Sequence, residues 1–96
     1  MEFVIDGSCI HTEADVHEVL AKGFDFGPYY GRNLAALRDR LATDVERPAR
    51  LVWKSSDISR RQLGDDLFNK ITAILQFVEA QDVSFGWQER FTYSLE

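Results

Sequence analysis

The chain has 96 residues, of which 45% are hydrophobic, and a formal net charge of −5 at pH 7. This is the length of one domain, so we expect a single domain over residues 1–96. The excess of acidic residues argues against a general nucleic-acid-binding protein, which needs a basic face. No run of about 18 apolar residues is present, and we expect neither a membrane span nor a signal peptide. Cys9 is the single cysteine, which excludes an internal disulfide and favours a reducing, cytoplasmic location.

The first part of the chain contains a short apolar run, an amphipathic segment and a loop. Phe3–Ile5 is predicted to be a strand that ends at a turn. A first helix is predicted between its cap, Thr12, and Gly23. The loop 24–32 that follows contains glycine and proline, which interrupt regular structure.

A second helix is predicted from about Leu34 to Thr43, after the cap residue Asn33. Its leucines recur at helical spacing and are expected to face the core: Leu34, Leu37 and Leu41. The same periodicity leaves four residues on the outer face: Ala35, Arg38, Asp39 and Ala42.

The second half of the chain repeats the alternation of strands and helices. Leu51–Trp53 is predicted to be a buried strand, followed by a short helix from Ser56 or Asp57 to Leu63. A long helix then runs from Asp65 or Asp66 to about Gln81, and Phe91–Leu95 alternates like a strand. The segment Val83–Phe85 could join that strand or form a loop. The order of elements predicts an α/β fold in which a small three-stranded parallel sheet packs with about four helices.

Two adjacent tyrosines, Tyr29 and Tyr30, lie just before the second helix. Tyrosine is frequent at protein interfaces because it buries a large ring and keeps a polar tip. In an arbitrary sequence, however, most such aromatic residues are structural. The loop and the start of the helix are therefore a candidate docking surface, with a packing role as the alternative.

Nothing in the sequence has the pattern of a catalytic or metal site. His11 and His17 are not at metal-ligand spacing, and Cys9 has no recognisable nucleophile setting. We therefore expect no cofactor, no metal and no enzymatic activity.

The chain resembles the barstar family of intracellular ribonuclease inhibitors and immunity proteins. The motif Tyr-Tyr-Gly-x-Asn-Leu at residues 29–34 is the most specific part of the resemblance. The other matching positions are Val4-Ile5, Gly7, Ile10, Asp15, His17, Leu20, Ala36-Leu37, Asp39, Leu41, Val45-Glu46, Pro48, Leu51 and Trp53.

The resemblance implies a barstar-like fold and a protein partner, with the second helix and the loop before it occluding the active site of a ribonuclease or another toxin domain. It also implies that the Arg47–Pro48 bond is cis. On this basis the expected partner-binding residues are Tyr29, Tyr30, Gly31, Asn33, Ala35, Arg38, Asp39 and Glu79.

The chain departs from the family pattern on the second helix. Ala35 replaces an aspartate, Arg38 replaces a tryptophan, and Arg32 replaces an acid. Segment 32–40 holds three arginines against Asp39 alone, a net charge of +2. Because this fits a strongly basic nuclease cleft poorly, the alternative is a barstar-fold module that recognises a non-nuclease partner.

Overall fold

Three parallel strands form one sheet in the computed structural model, which describes residues 1–96. The strands are β1 (Glu2–Asp6), β2 (Ala49–Lys54) and β3 (Phe91–Leu95), and their order in the sheet is β1-β2-β3. Ile5 of β1 aligns with Trp53 of β2, which aligns with Leu95 of β3. The predicted small parallel sheet is thus confirmed.

Four helices connect the strands: α1 (Glu13–Gly23), α2 (Leu34–Thr43), α3 (Ser56–Leu63) and α4 (Asp65–Ser84). A short 3₁₀ helix, Gly7–Cys9, follows β1 where a turn was predicted. The prediction for 83–85 was wrong in both alternatives, because Val83 and Ser84 complete α4. The amide of Phe85 donates to the Gln81 carbonyl and closes the last turn of α4.

Side-chain caps fix the starts of the first two helices. Thr12 and Asp15 form a reciprocal capping box at α1. The Asn33 side chain accepts a hydrogen bond of 2.8 Å from the amide of Ala36, which begins α2 at the predicted position. The N-terminus of α2, which follows the two tyrosines, is therefore held by its own sequence.

The helices cover one face of the sheet. Eighteen buried residues form a core cluster to which both strands and helices contribute. The core-facing strand residues include Ile5, Leu51, Trp53 and Phe91, all with side chains almost fully buried. The opposite face of the sheet carries exposed charged residues, such as the Arg50–Glu2 pair. Ala42, predicted to face outward, is half-buried against the core.

A buried ion pair ties α4 to the chain entering β2. Asp82 is fully buried, and its carboxylate accepts hydrogen bonds from Arg47 at 2.7 and 3.2 Å and from the amide of Phe91 at 2.7 Å. Burial acts to raise the pKa of Asp82, but these hydrogen bonds outweigh it and hold that pKa below its usual value. The adjacent Arg47–Pro48 bond is cis, as expected.

Candidate protein-binding surface

The two tyrosines of the loop before α2 have opposite environments. The side chain of Tyr29 is 90% exposed, whereas that of Tyr30 is only 7% exposed. The ring of Tyr30 packs on Phe26, with 4.9 Å between the ring centroids. Tyr29 is therefore presented to solvent by a loop that Tyr30 anchors to the core.

A hydrogen-bond chain from α1 holds the buried tyrosine. The Tyr30 hydroxyl lies 2.6 Å from Nδ1 of buried His17, and Nε2 of His17 lies 3.0 Å from the Glu13 carboxylate. Because an ionised carboxylate can only accept, Nε2 donates to Glu13, and the tautomer with its proton on Nε2 can accept from the tyrosine at Nδ1. Burial raises the pKa of Tyr30 to about 12, so its hydroxyl keeps its proton at neutral pH.

The residues between Tyr30 and α2 form a tight turn. Arg32 has φ of 54°, in the left-handed region that few residues other than glycine adopt. A Cβ atom on Gly31 would lie 3.3 Å from the Cβ of Ala36, so this position has little room for a side chain. The Asn33 amide also donates to the Gly31 carbonyl at 3.4 Å. The geometry of this turn fixes where Tyr29 stands relative to α2.

The outer face of α2 presents an unpaired carboxylate. Asp39 is exposed and forms no ion pair within the chain. Its neighbour Arg40 instead donates to the Phe26 carbonyl at 2.7 Å and pairs with Asp44 at 3.4 Å. Arg38 lies over the ring of Phe77. Asp39 therefore pairs with neither of the two arginines that flank it.

The structure brings six of the eight expected partner-binding residues onto one loop and one helix. All six are exposed: Tyr29, Gly31, Asn33, Ala35, Arg38 and Asp39. We call this set the α2 surface.

Two expected residues lie elsewhere. Tyr30 is buried, because its ring and hydroxyl are used to anchor the loop. Glu79 is half-buried, and its carboxylate accepts a hydrogen bond of 3.3 Å from the amide of Tyr93 in β3. Two positions along a helix correspond to a rotation of about 200°, so Glu79 projects from the side of α4 opposite Phe77 and Arg38. The structure therefore separates Glu79 from the α2 surface.

The chain holds no group of three or more His, Cys, Asp or Glu side chains placed to bind a metal ion. Exposed Cys9 lies 3.5 Å from a carboxylate oxygen of Asp6, its hydrogen-bond acceptor. None of the four helices combines the length and the apolar character needed to span a bilayer.

Comparison with known proteins agrees with this architecture. Residues 1–93 match the family model described as "Barstar (barnase inhibitor)". The chain belongs to the barstar family. A relative from Bacillus subtilis (strain 168), named "Putative ribonuclease inhibitor YrdF", is 38% identical over 73 residues, which are 73% of this chain and 80% of the relative. The family match thus extends beyond Trp53, the last of the matching positions identified in the sequence.

Some contacts that support this barstar-family surface were not predicted from the sequence. Glu13 and His17 are four residues apart on α1, a spacing that allows their contact to be predicted. Their link to Tyr30 joins distant parts of the chain and has no local signal. The same holds for Phe77, since its contact with Arg38 depends on how α4 packs against α2.

Proposed function

We propose that this chain is an inhibitor of a ribonuclease, or of a similar toxin domain, and that it occludes the active site of its target with the α2 surface. The barstar family is described by its inhibition of barnase, and the Bacillus subtilis relative is named as a ribonuclease inhibitor. The protein acts by binding, without chemistry of its own, in the cytoplasm of the cell that it protects.

The exposed ring of Tyr29 is the observation that carries this proposal. Tyr29 is 90% exposed, while the chain that follows it is held in place by buried Tyr30 and by the Asn33 cap. An aromatic side chain has few rotatable bonds, so on a backbone that is already held it loses little conformational entropy when a partner covers it. Tyrosines of this kind are frequent among the residues that dominate binding energy at interfaces.

Asp39 supplies the charge that such an inhibitor needs. A ribonuclease binds a polyanion, so its cleft carries cationic groups that contact phosphates. The Asp39 carboxylate is exposed and has no cation of its own chain to satisfy it. It can therefore take the place of a substrate phosphate and hydrogen-bond with those cationic groups.

A second candidate function is recognition of a non-nuclease protein through the same surface. The exposed residue at position 35 is an alanine, and Arg32 and Arg38 are both exposed near it. An uncharged residue and two arginines at these positions make this region less negative than a surface complementary to a purely basic cleft would be.

Affinity depletion separates the two candidates. The parent protein and Tyr29→Ala are immobilised at equal density, and secreted proteins of the source organism are passed over each resin. Ribonuclease activity in the flow-through is measured with a fluorogenic RNA. We expect the parent resin to remove the ribonuclease activity. The Tyr29→Ala resin should remove at least about tenfold less of it, because truncation of an anchor residue at an interface weakens binding by this amount or more. The control is Phe85→Ala, because Phe85 is also an exposed aromatic residue, 55% exposed, but lies at the end of α4.

Retention of a ribonuclease that depends on Tyr29, and inhibition of that enzyme by added parent protein, would support the proposal. Retention of a different protein with the same dependence would favour the second candidate. Equal retention of a ribonuclease by both resins would exclude the α2 surface as the binding site.

A further inference from the structure

Arg38 is held in a defined position by an aromatic ring. Its guanidinium carbon lies 4.0 Å from the centroid of the Phe77 ring, so α4 provides a platform for a side chain of α2. Phe77 is 41% exposed, and Arg38 itself is exposed. An aromatic ring stacked on a guanidinium covers one of its flat faces and leaves the N–H groups along its edge available to other partners. Arg38 makes no hydrogen bond or ion pair within the chain, so those donors are unused.

Most other arginines of the chain are already bonded. Five arginines form a hydrogen bond or an ion pair within the chain: Arg40, Arg47, Arg50, Arg61 and Arg90. The remaining three form no such bond: Arg32, Arg38 and Arg60. Two of these three lie at the α2 surface or in the turn that leads to it.

We infer that Arg38, positioned by Phe77, is a specificity-determining contact that pairs with a carboxylate on the partner. The inference rests on the proposed function, since it concerns the same surface. A partner that covers Arg38 removes its guanidinium from water, which is costly unless acceptors replace the water. A carboxylate matches the two parallel N–H donors of a guanidinium edge better than any other protein group. Because Phe77 already orients Arg38, less side-chain entropy is lost when this pair forms.

The neighbouring Asp39 makes the expected charge pattern of the partner more specific. Asp39 needs a cationic or N–H donor group, whereas Arg38 needs an acid. The complementary surface therefore presents an acidic group beside a basic group. A cleft with only basic groups would oppose Arg38 with like charge, which discriminates against that partner. The pair Arg38–Phe77 thus selects among ribonucleases, while Tyr29 and Asp39 provide the inhibitory contacts.

Charge reversal at Arg38 tests this inference. Arg38→Glu, Phe77→Leu and the control Arg60→Glu are titrated against two ribonucleases: the enzyme eluted from the parent resin, and barnase. Arg60 is a matched control, because it also lies over an aromatic ring, that of Phe68 at 4.9 Å, and forms no ion pair, but it is on α3. Thermal unfolding of every variant is recorded in parallel.

Arg38→Glu is expected to weaken inhibition of the eluted enzyme by at least about tenfold, because a carboxylate would then face a carboxylate. The same change is expected to strengthen inhibition of barnase, whose RNA-binding cleft must accept phosphates. Phe77→Leu keeps an apolar side chain but removes the ring face, and should weaken inhibition of the eluted enzyme by less than Arg38→Glu does. Arg60→Glu should change neither titration by more than about twofold.

Unchanged inhibition of the eluted enzyme by Arg38→Glu, with Tyr29→Ala still impaired, would overturn the inference and leave the proposed function intact. Weaker inhibition of both ribonucleases together with a lower unfolding temperature would overturn it as well, because Arg38 would then act on the fold. If Tyr29→Ala and Arg38→Glu both inhibit as the parent does, the proposed function fails with the inference.

Discussion

Asp39→Ala should separate binding from folding more clearly than any other single change. The Asp39 carboxylate is exposed and unpaired. The backbone carbonyl of Asp39 accepts a hydrogen bond of 2.7 Å from the Thr43 hydroxyl. Alanine keeps that carbonyl and is a better helix former than aspartate. The free energy of unfolding should therefore change by less than about 0.5 kcal/mol, as at other exposed positions. In a chain of this length that is a shift of at most about 4 °C in Tm.

The same substitution should have a large effect on binding. In the proposed complex the carboxylate is desolvated against N–H donors of the partner, and its removal leaves those donors buried and unpaired. Such truncations cost about 2–5 kcal/mol. Since about 1.4 kcal/mol corresponds to a factor of ten in affinity, inhibition should weaken by at least tenfold.

The assay pairs an inhibition titration against the ribonuclease retained by the parent with thermal unfolding followed by circular dichroism. Glu18→Ala is the matched control, because Glu18 is an exposed acid on α1 that forms no hydrogen bond or ion pair. Glu13 is unsuitable as a control, since it bonds to His17 and so supports the anchored loop. Inhibition by Asp39→Ala that is as tight as that of the parent would refute the model of the α2 surface.

Three other outcomes are expected. Asp82→Asn should lower the free energy of unfolding by about 3–5 kcal/mol in urea titrations, because it leaves the guanidinium of Arg47 without its buried carboxylate. A loss below about 1 kcal/mol would show that this pair contributes little. Stability should fall between about pH 10, where tyrosine ionises in the unfolded chain, and about pH 12, the raised pKa of folded Tyr30, because the unfolded state loses its proton first. Tyr30→Phe should show a smaller decline, since burial also raises the pKa of Tyr93, and an unchanged decline would assign it to groups other than Tyr30. Cys9→Ser should alter neither Tm nor inhibition, since Cys9 is exposed and serine keeps a donor toward Asp6; weaker inhibition would place Cys9 at the interface.

Much of the fold could be predicted because local chemistry and tertiary packing agree. The Asn33 cap predicted where α2 begins. The spacing of Leu37 and Leu41 predicted which face of α2 is buried. The alternation in Phe91–Leu95 likewise predicted β3 with its observed bounds. At the end of α4, by contrast, Val83 and Phe85 have β-forming side chains, but Val83 and Ser84 continue the helix that holds buried Asp82 against Arg47.

Only those residues of the candidate site that match the family pattern could be predicted from the sequence. The resemblance to the family located Tyr29 and Asp39, whereas the burial of Tyr30 depends on a contact with His17, thirteen residues away from Tyr30. Asp82 carried a signal that was missed. It lies on the apolar stripe of α4, four residues after Val78, and a charge at such a position indicates a buried and paired carboxylate.

The outer edge of β3 is closed by side chains of α4. Asp82 binds the amide of Phe91 and Glu79 binds the amide of Tyr93, and both amides point away from β2. A strand whose outward N–H groups are already occupied is a poor template for another strand, so this edge resists the polymerisation that exposed edges promote. Assembly of copies of the chain through β3 is therefore disfavoured. For the proposed inhibitor, the closed edge would leave contacts with other proteins to the α2 surface.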